Sequence, residues 1–144
     1  MKRMIFVALI FVVMSTVVYA WEDMGYATDS DKVKVFQSWL GNTRKTTEGT
    51  VVIEIKDVYT EEGRKREKEY PANFSYTICQ IEINCASSER RYLQWFLYDA
   101  QGNVLKEIET TKKWLATYDT TMAGIFYKRA CGKLAQPKPV NPSK

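Results

Sequence analysis

The sequence predicts an antiparallel α+β domain in which one terminal helix covers a face of the sheet. Three observations lead there. Segments of alternating β-branched and aromatic residues recur through the chain, as in VVIEIKDVY and NFSYTICQIEINC. The stretch AQGN joins two such segments with hairpin chemistry. One helix-like stretch, DTTMAGIFYKRACG, follows them.

Residues 1–20 read MKRMIFVALIFVVMSTVVYA. Lys2 and Arg3 precede an apolar run from Ile5 to Val18, and Val18-Tyr19-Ala20 supplies small side chains at the two positions a signal peptidase reads. This is the pattern of a secretory signal peptide cleaved after Ala20. The apolar run is shorter than the roughly 20 residues that span a bilayer, so no stable membrane insertion is expected after cleavage. The chain holds 21 Lys and Arg against 17 Asp and Glu. Taking away Lys2 and Arg3 leaves 19 basic residues and a net charge of +2. That balance gives no argument for nucleic acid as a partner. Residues 21–132 have the length of a single domain with its own core.

The elements follow in order. Trp21 to Tyr26 and the turn-rich ATDSD open the domain. KVKVFQSW (32–39) sets Val33, Val35 and Trp39 at alternate positions. The polar GNTRKTTEGT (41–50) reads as a loop between strands. In VVIEIKDVY (51–59), Val51, Ile53 and Ile55 face one way and Glu54 and Lys56 the other. TEEGRKREKEY (60–70) has no apolar face. Its pairs Glu61–Lys65 and Glu62–Arg66, at i,i+4, predict a short solvated helix that Pro71 ends. NFSYTICQIEINC (73–85) and RRYLQWFLYD (90–99) are long strands, and VLKEIE (104–109) returns as hairpin partner of the second. Gly102 and Asn103 can take the positive φ of the turn. In the final helix Asp119 or a following Thr caps the start. Met122, Ile125 and Phe126 form the apolar face, and Gly132 stands just past the end. Residues 133–144 carry three prolines and nothing to bury, and are expected to be disordered.

Strand alternation puts Cys79, Ile81, Ile83 and Cys85 on one face, and Tyr76, Ile78, Gln80, Glu82 and Asn84 on the other. The charged residue lies on the second face, so the cysteine face is the core. Cys79 and Cys85 stand about 20 Å apart along a strand, far beyond the roughly 7 Å a disulfide tolerates. An exported chain is therefore expected to join Cys131 to one of them. Periodicity does not choose which. Cys85 ends its strand, where a helix terminus can reach, and Cys79 sits mid-strand among apolar neighbours.

YTEEGR, YTICQIEINC, RRYLQWFLYDAQGNVL, Trp114 and a short helix ending in Cys131 occur in this order. In that order they resemble the surface-adhesin protein E family over residues 26–131. The shared pattern rests on Glu82-Ile83-Asn84-Cys85, on Tyr98-Asp99-Ala100-Gln101-Gly102-Asn103 and on Cys131. The resemblance implies a small exported bacterial domain. It implies an antiparallel sheet of about six strands, with a C-terminal helix packed on one face and tethered by a disulfide, Cys85 to Cys131, leaving Cys79 free. It also implies adhesion to extracellular proteins. The namesake adhesin is a lipoprotein, and this chain has no lipid-bearing cysteine near Ala20. The helix entry is Tyr118-Asp119-Thr120-Thr121, where the family often has a Pro-Gly-Ser-like stretch.

The chain has no histidine. That removes the histidine-based triads, the commonest general base and the usual zinc and haem ligands. No glycine loop of the phosphate-cradling kind occurs, so no cofactor and no metal are expected. Glu54, Asp57, Glu82 and Asp99 are the carboxylates a glycosidase would need, and they read instead as charged outer faces of strands. RRYLQWFLYD is apolar on both faces, with Tyr92, Gln94, Phe96 and Tyr98 on one and Leu93, Trp95 and Leu97 on the other. An interface around Tyr92, Trp95 and Tyr98 is the expected site, for a protein partner or for a second copy in a homodimer. The expected function is therefore non-enzymatic: an exported binding or structural module in the periplasm, outside the cell or at its surface. The alternative is a periplasmic inhibitor or accessory subunit of an envelope enzyme or complex.

Overall fold

The computed structural model describes residues 20–118 and 120–132. The signal peptide over residues 1–19, Asp119 as a helix cap and the 133–144 tail lie outside the described residues. Six strands form one antiparallel meander: β1 (Glu22–Thr28), β2 (Lys34–Lys45), β3 (Val51–Tyr59), β4 (Phe74–Asn84), β5 (Glu89–Asp99) and β6 (Val104–Glu107). Each pairs with its neighbour in sequence. A two-residue strand, β7 (Leu115–Ala116), pairs with the start of β5. Helix α1 (Glu61–Arg66) links β3 to β4, and α2 (Met122–Ala130) ends the domain. The antiparallel α+β architecture, the disulfide between Cys85 and Cys131 and the free, buried Cys79 are all present.

Alternation sets the inner face of the sheet. Ile53 pairs with Ile81, Ile55 with Cys79 and Val51 with Ile83, and all six are buried. Phe126 and Tyr127 of α2 complete this cluster, with Met122 and Ala130 packed against it. A smaller cluster of Tyr59, Phe74 and Leu97 fills the other end of the sheet. The apolar face of α2 therefore includes Tyr127 in place of the expected Ile125. Residue 127 lies within the i, i+4 band that runs through 123, and it is 4 % exposed.

Helix α2 is held at several points. Thr121 is its N-cap, its hydroxyl accepting from Gly124 N–H at 3.2 Å. The Tyr127 hydroxyl donates to Cys85 C=O at 3.1 Å and meets Ser88 Oγ at 2.9 Å. Arg129 grips Glu22 of β1 through Nε at 3.0 Å and the terminal nitrogen at 2.8 Å, the forked geometry that favours guanidinium. Cys131 follows as C-cap, and Gly132 takes φ 70° beyond it, as expected.

Two elements depart from the pattern read in the sequence. β2 does not stop at residue 40. A register shift between Leu40 and Thr43 absorbs the break, and Thr43, Arg44 and Lys45 pair with Ile53, Val52 and Val51. These residues looked like a loop because their side chains are exposed. The true turn is Thr46–Gly49, closed by Thr46 N–H on Thr50 C=O at 2.9 Å. Gly41 sits at the break because the Trp21 ring lies over it, 2.8 Å from where a Cβ would stand.

The second departure is α1, which is not wholly solvated. Lys65 pairs with both Glu61 (3.1 Å) and Glu62 (2.9 Å), and Arg66 reaches Asp29 instead of Glu62. Thr60 caps the helix and also donates to the Lys34 carbonyl at 2.7 Å. Gly63 is buried against the Val35 carbonyl, at 2.0 Å from an imagined Cβ, so only glycine lets the helix lie this close.

Candidate functional site

The expected interface residues do not form one patch. Gln80 pairs with Gln94, but Ile81 pairs with Tyr92, so Leu93 is an extra residue with no opposite number. Such a bulge reverses the alternation for everything before it. Tyr92 therefore joins Trp95 on the inner face, their rings stacked at 5.3 Å and 15°. Tyr98 stays on the outer face, stacked on Tyr76 at 4.9 Å and 5°. This corrects the strict alternation that grouped Tyr92 with Tyr98 and set Trp95 opposite both.

On the inner face, the first turns of α2 leave a cavity of about 200 Å³ over the sheet. Phe36, Tyr59, Tyr92 and Trp95 supply aromatic walls, and Met122 and Phe126 close it from the helix side. Ile55 and Cys79 lie among its apolar lining. The acid in the lining is Asp57, brought there with Ser38 because the two pair across β2 and β3. Ser38 Oγ–H donates to Asp57 Oδ1 at 2.5 Å. The Trp95 indole N–H and the Thr77 hydroxyl, both from inner-face positions, are buried without a hydrogen-bond partner.

Burial pushes the Asp57 carboxyl up to about 6, and the Ser38 hydrogen bond offsets only part of it. Burial also raises the Tyr59 hydroxyl and the Cys79 thiol far above their ordinary values. Cys79 is therefore a neutral thiol, poorly suited to act as a nucleophile.

The other carboxylates are accounted for on the outer face and in turns. Burial of Glu82 opposes its ionisation, but Thr50 Oγ–H at 2.6 Å and Arg91 Nε–H at 2.7 Å more than offset it and hold the carboxyl below the usual range. Asp99 accepts from the side-chain and backbone N–H of Asn103, both at 2.8 Å, and from Gln101 N–H; these bonds lower its pKa and shape the β5–β6 turn. Of the two turn residues expected at positive φ, Gly102 has it, at 88°. Glu54 pairs with Gln80 on the outer face. Asp99 follows the buried Leu97 by two and is itself buried, so it too departs from the expected outward carboxylates, but it is drawn into the β5–β6 turn; Asp57 is the one that enters the cavity. It falls two residues after Ile55, on the same face, and that spacing was the available signal. No group of three or more His, Cys, Asp or Glu residues suited to a metal ion occurs among the described residues.

The outer face is built from cross-strand rows. Trp39, Lys56, Ile78 and Phe96 stand side by side in one row; Gln37, Val58, Tyr76 and Tyr98 form the next. All eight are half-buried. Lys56 Nζ lies 4.3 Å from the Tyr76 ring centre and 6.0 Å from that of Trp21. Among the described residues no helix is long and apolar enough to cross a membrane. The disulfide is compatible with export. Comparison with protein-family models, with curated proteins and with solved structures finds no match to this chain.

Proposed function

We propose that the protein is an exported, disulfide-stapled binding module whose outer sheet face receives a protein partner. The observation that carries this reading is the pair of rows Trp39–Lys56–Ile78–Phe96 and Val58–Tyr76–Tyr98. Helix α2 packs on the opposite face, so these side chains gain no helical cover from it. A contiguous surface of aromatic and aliphatic groups around one lysine is the composition of an interface core. The resemblance to the surface-adhesin protein E family agrees with this reading, and adhesion to an extracellular protein is its natural form.

Cell fractionation and affinity capture with the mature chain test the proposal. Exposed protein at the cell surface with matrix protein in the eluate supports adhesion. One stoichiometric envelope protein would favour an inhibitor or accessory subunit. Tyr98→Ala and Trp39→Ala should each weaken capture by about thirtyfold, the equivalent of about 2 kcal/mol at an aromatic anchor. Sedimentation of the free chain reports self-association through the same face. If both variants stay folded and keep both partner binding and self-association, the outer face is not the site.

A further inference from the structure

We propose that the cavity beneath α2 binds a small organic cation, a primary ammonium on a ring-sized apolar body, with Asp57 as its counter-ion. Four observations carry this. The cavity of about 200 Å³ is larger than the roughly 150 Å³ apolar cavities that take up a benzene ring. Its walls are predominantly apolar and aromatic. An anionic group sits in it, and among the described residues no Lys or Arg lines it.

The fourth observation is the contrast with the acids that pair with arginine, and with Asp99, whose carboxylate accepts three N–H bonds in its turn. Glu82 has Arg91, Asp29 has Arg66 and Glu22 has Arg129. Among the described residues, Asp57 has the neutral Ser38 hydroxyl as its side-chain partner and no cation. The groups facing it from each packed element add no positive charge. β2 presents Phe36 and Ser38, β4 presents Cys79, and β5 presents Tyr92 and Trp95; α2 presents Met122, Ala123 and Phe126. Tyr59 on its own strand and Tyr70 after α1 are the remaining titratable neighbours, both neutral phenols with raised pKa.

A carboxylate without a cation, lined by aromatic faces that themselves attract cations, selects an ammonium over a neutral or anionic guest. The site is independent of the outer face, which lies across the sheet. Loss of partner binding there would leave this cavity unchanged, and the reverse also holds.

Titration calorimetry of the oxidised mature chain with 2-phenylethylammonium chloride tests the proposal, with 2-phenylethanol and phenylacetate as comparison guests. Saturable one-to-one binding of the ammonium at pH 8 is expected, with little or none of the other two. Because Asp57 takes up a proton near pH 6, binding should weaken about tenfold at pH 5. Asp57→Asn should abolish binding at pH 8. Chemical-shift mapping on the unmodified protein supplies a measurement that needs no variant. The Trp95 indole and the Met122 methyl should shift, and the Trp39 indole should not. Equal binding of 2-phenylethanol, retained binding in Asp57→Asn, shifts confined to the outer face, or no saturable binding in the millimolar range would each overturn the proposal.

Discussion

Asp57→Asn tests whether an acid is stored in the inner face at a cost to stability. The carboxyl rises from its ordinary 3.8 to about 6 in the folded protein, chiefly through burial. That difference corresponds to about 3 kcal/mol, and solvent at the cavity mouth reduces it to about 2–3 kcal/mol. The sign follows from which state holds the proton more tightly. Folding favours protonated Asp57, so its contribution is fully present below about pH 3.8 and is lost as pH rises through about 6. Asparagine cannot ionise, and its carbonyl can still accept from Ser38. Its buried amide costs about 1 kcal/mol, but that cost does not change with pH. Glu82 and Asp99, whose pKa values are lowered, lose stability as pH falls, but both proteins share them and the difference cancels. The stability gap, Asn variant minus parent, should therefore grow by about 2–3 kcal/mol between pH 4 and pH 8. Urea unfolding of the two proteins at half-unit pH steps measures it. A gap that stays constant across this range would show that Asp57 is not a desolvated carboxyl of raised pKa.

Three further outcomes follow from the packing. Cys131→Ser opens a loop of 46 residues and should lower stability by about 4 kcal/mol in the chain-entropy model, while non-reducing peptide mapping of the parent joins Cys85 to Cys131. Gly63→Ala puts a methyl group into the Val35 carbonyl and should cost about 3 kcal/mol, read as a lower urea midpoint with the slope unchanged. Glu82→Gln strands Arg91 beside the Trp114 ring and should cost about 2 kcal/mol, most of which disappears when Arg91 is also replaced.

The fold was legible because the inner-face residues of β3 and β4 keep a strict period of two. Val51, Ile53 and Ile55 match Ile83, Ile81 and Cys79 without interruption. Where a strand carries an extra residue, that logic fails. The bulge at Leu93 is invisible in RRYLQWFLYD, because both faces there are apolar and either parity looks acceptable. Strict alternation therefore sets Tyr92 on the wrong side. The same holds for Thr43 to Lys45, where exposure on both faces hides a strand that only pairing with β3 reveals. Asp57 is a different case. Its inward position follows directly from Ile55, but a charged residue in a strand is ordinarily assigned to solvent, and only the cavity shows why this one is not. Ser38 carries no sequence signal until the register places it across from Asp57.

The meander has a consequence for the order of folding. Each pairing from β1 to β6 joins strands next to each other in the chain, and only the two-residue β7 pairs out of order, with β5; each step of the meander closes a short loop and the sheet can zip from one hairpin to the next. Helix α2 is the long-range piece: it must return across β5, β6 and the segment after them to reach β1 and the end of β4. Until it does, Ile53, Ile81 and Ile83 face water together, and Cys85 waits at the sheet margin for its partner. Oxidation is then a latch closing on a finished surface rather than a guide to building it. Hydrogen-exchange labelling during refolding of the reduced chain should find β3 and β4 amides protected before those of α2, and simultaneous protection of both would argue against this order.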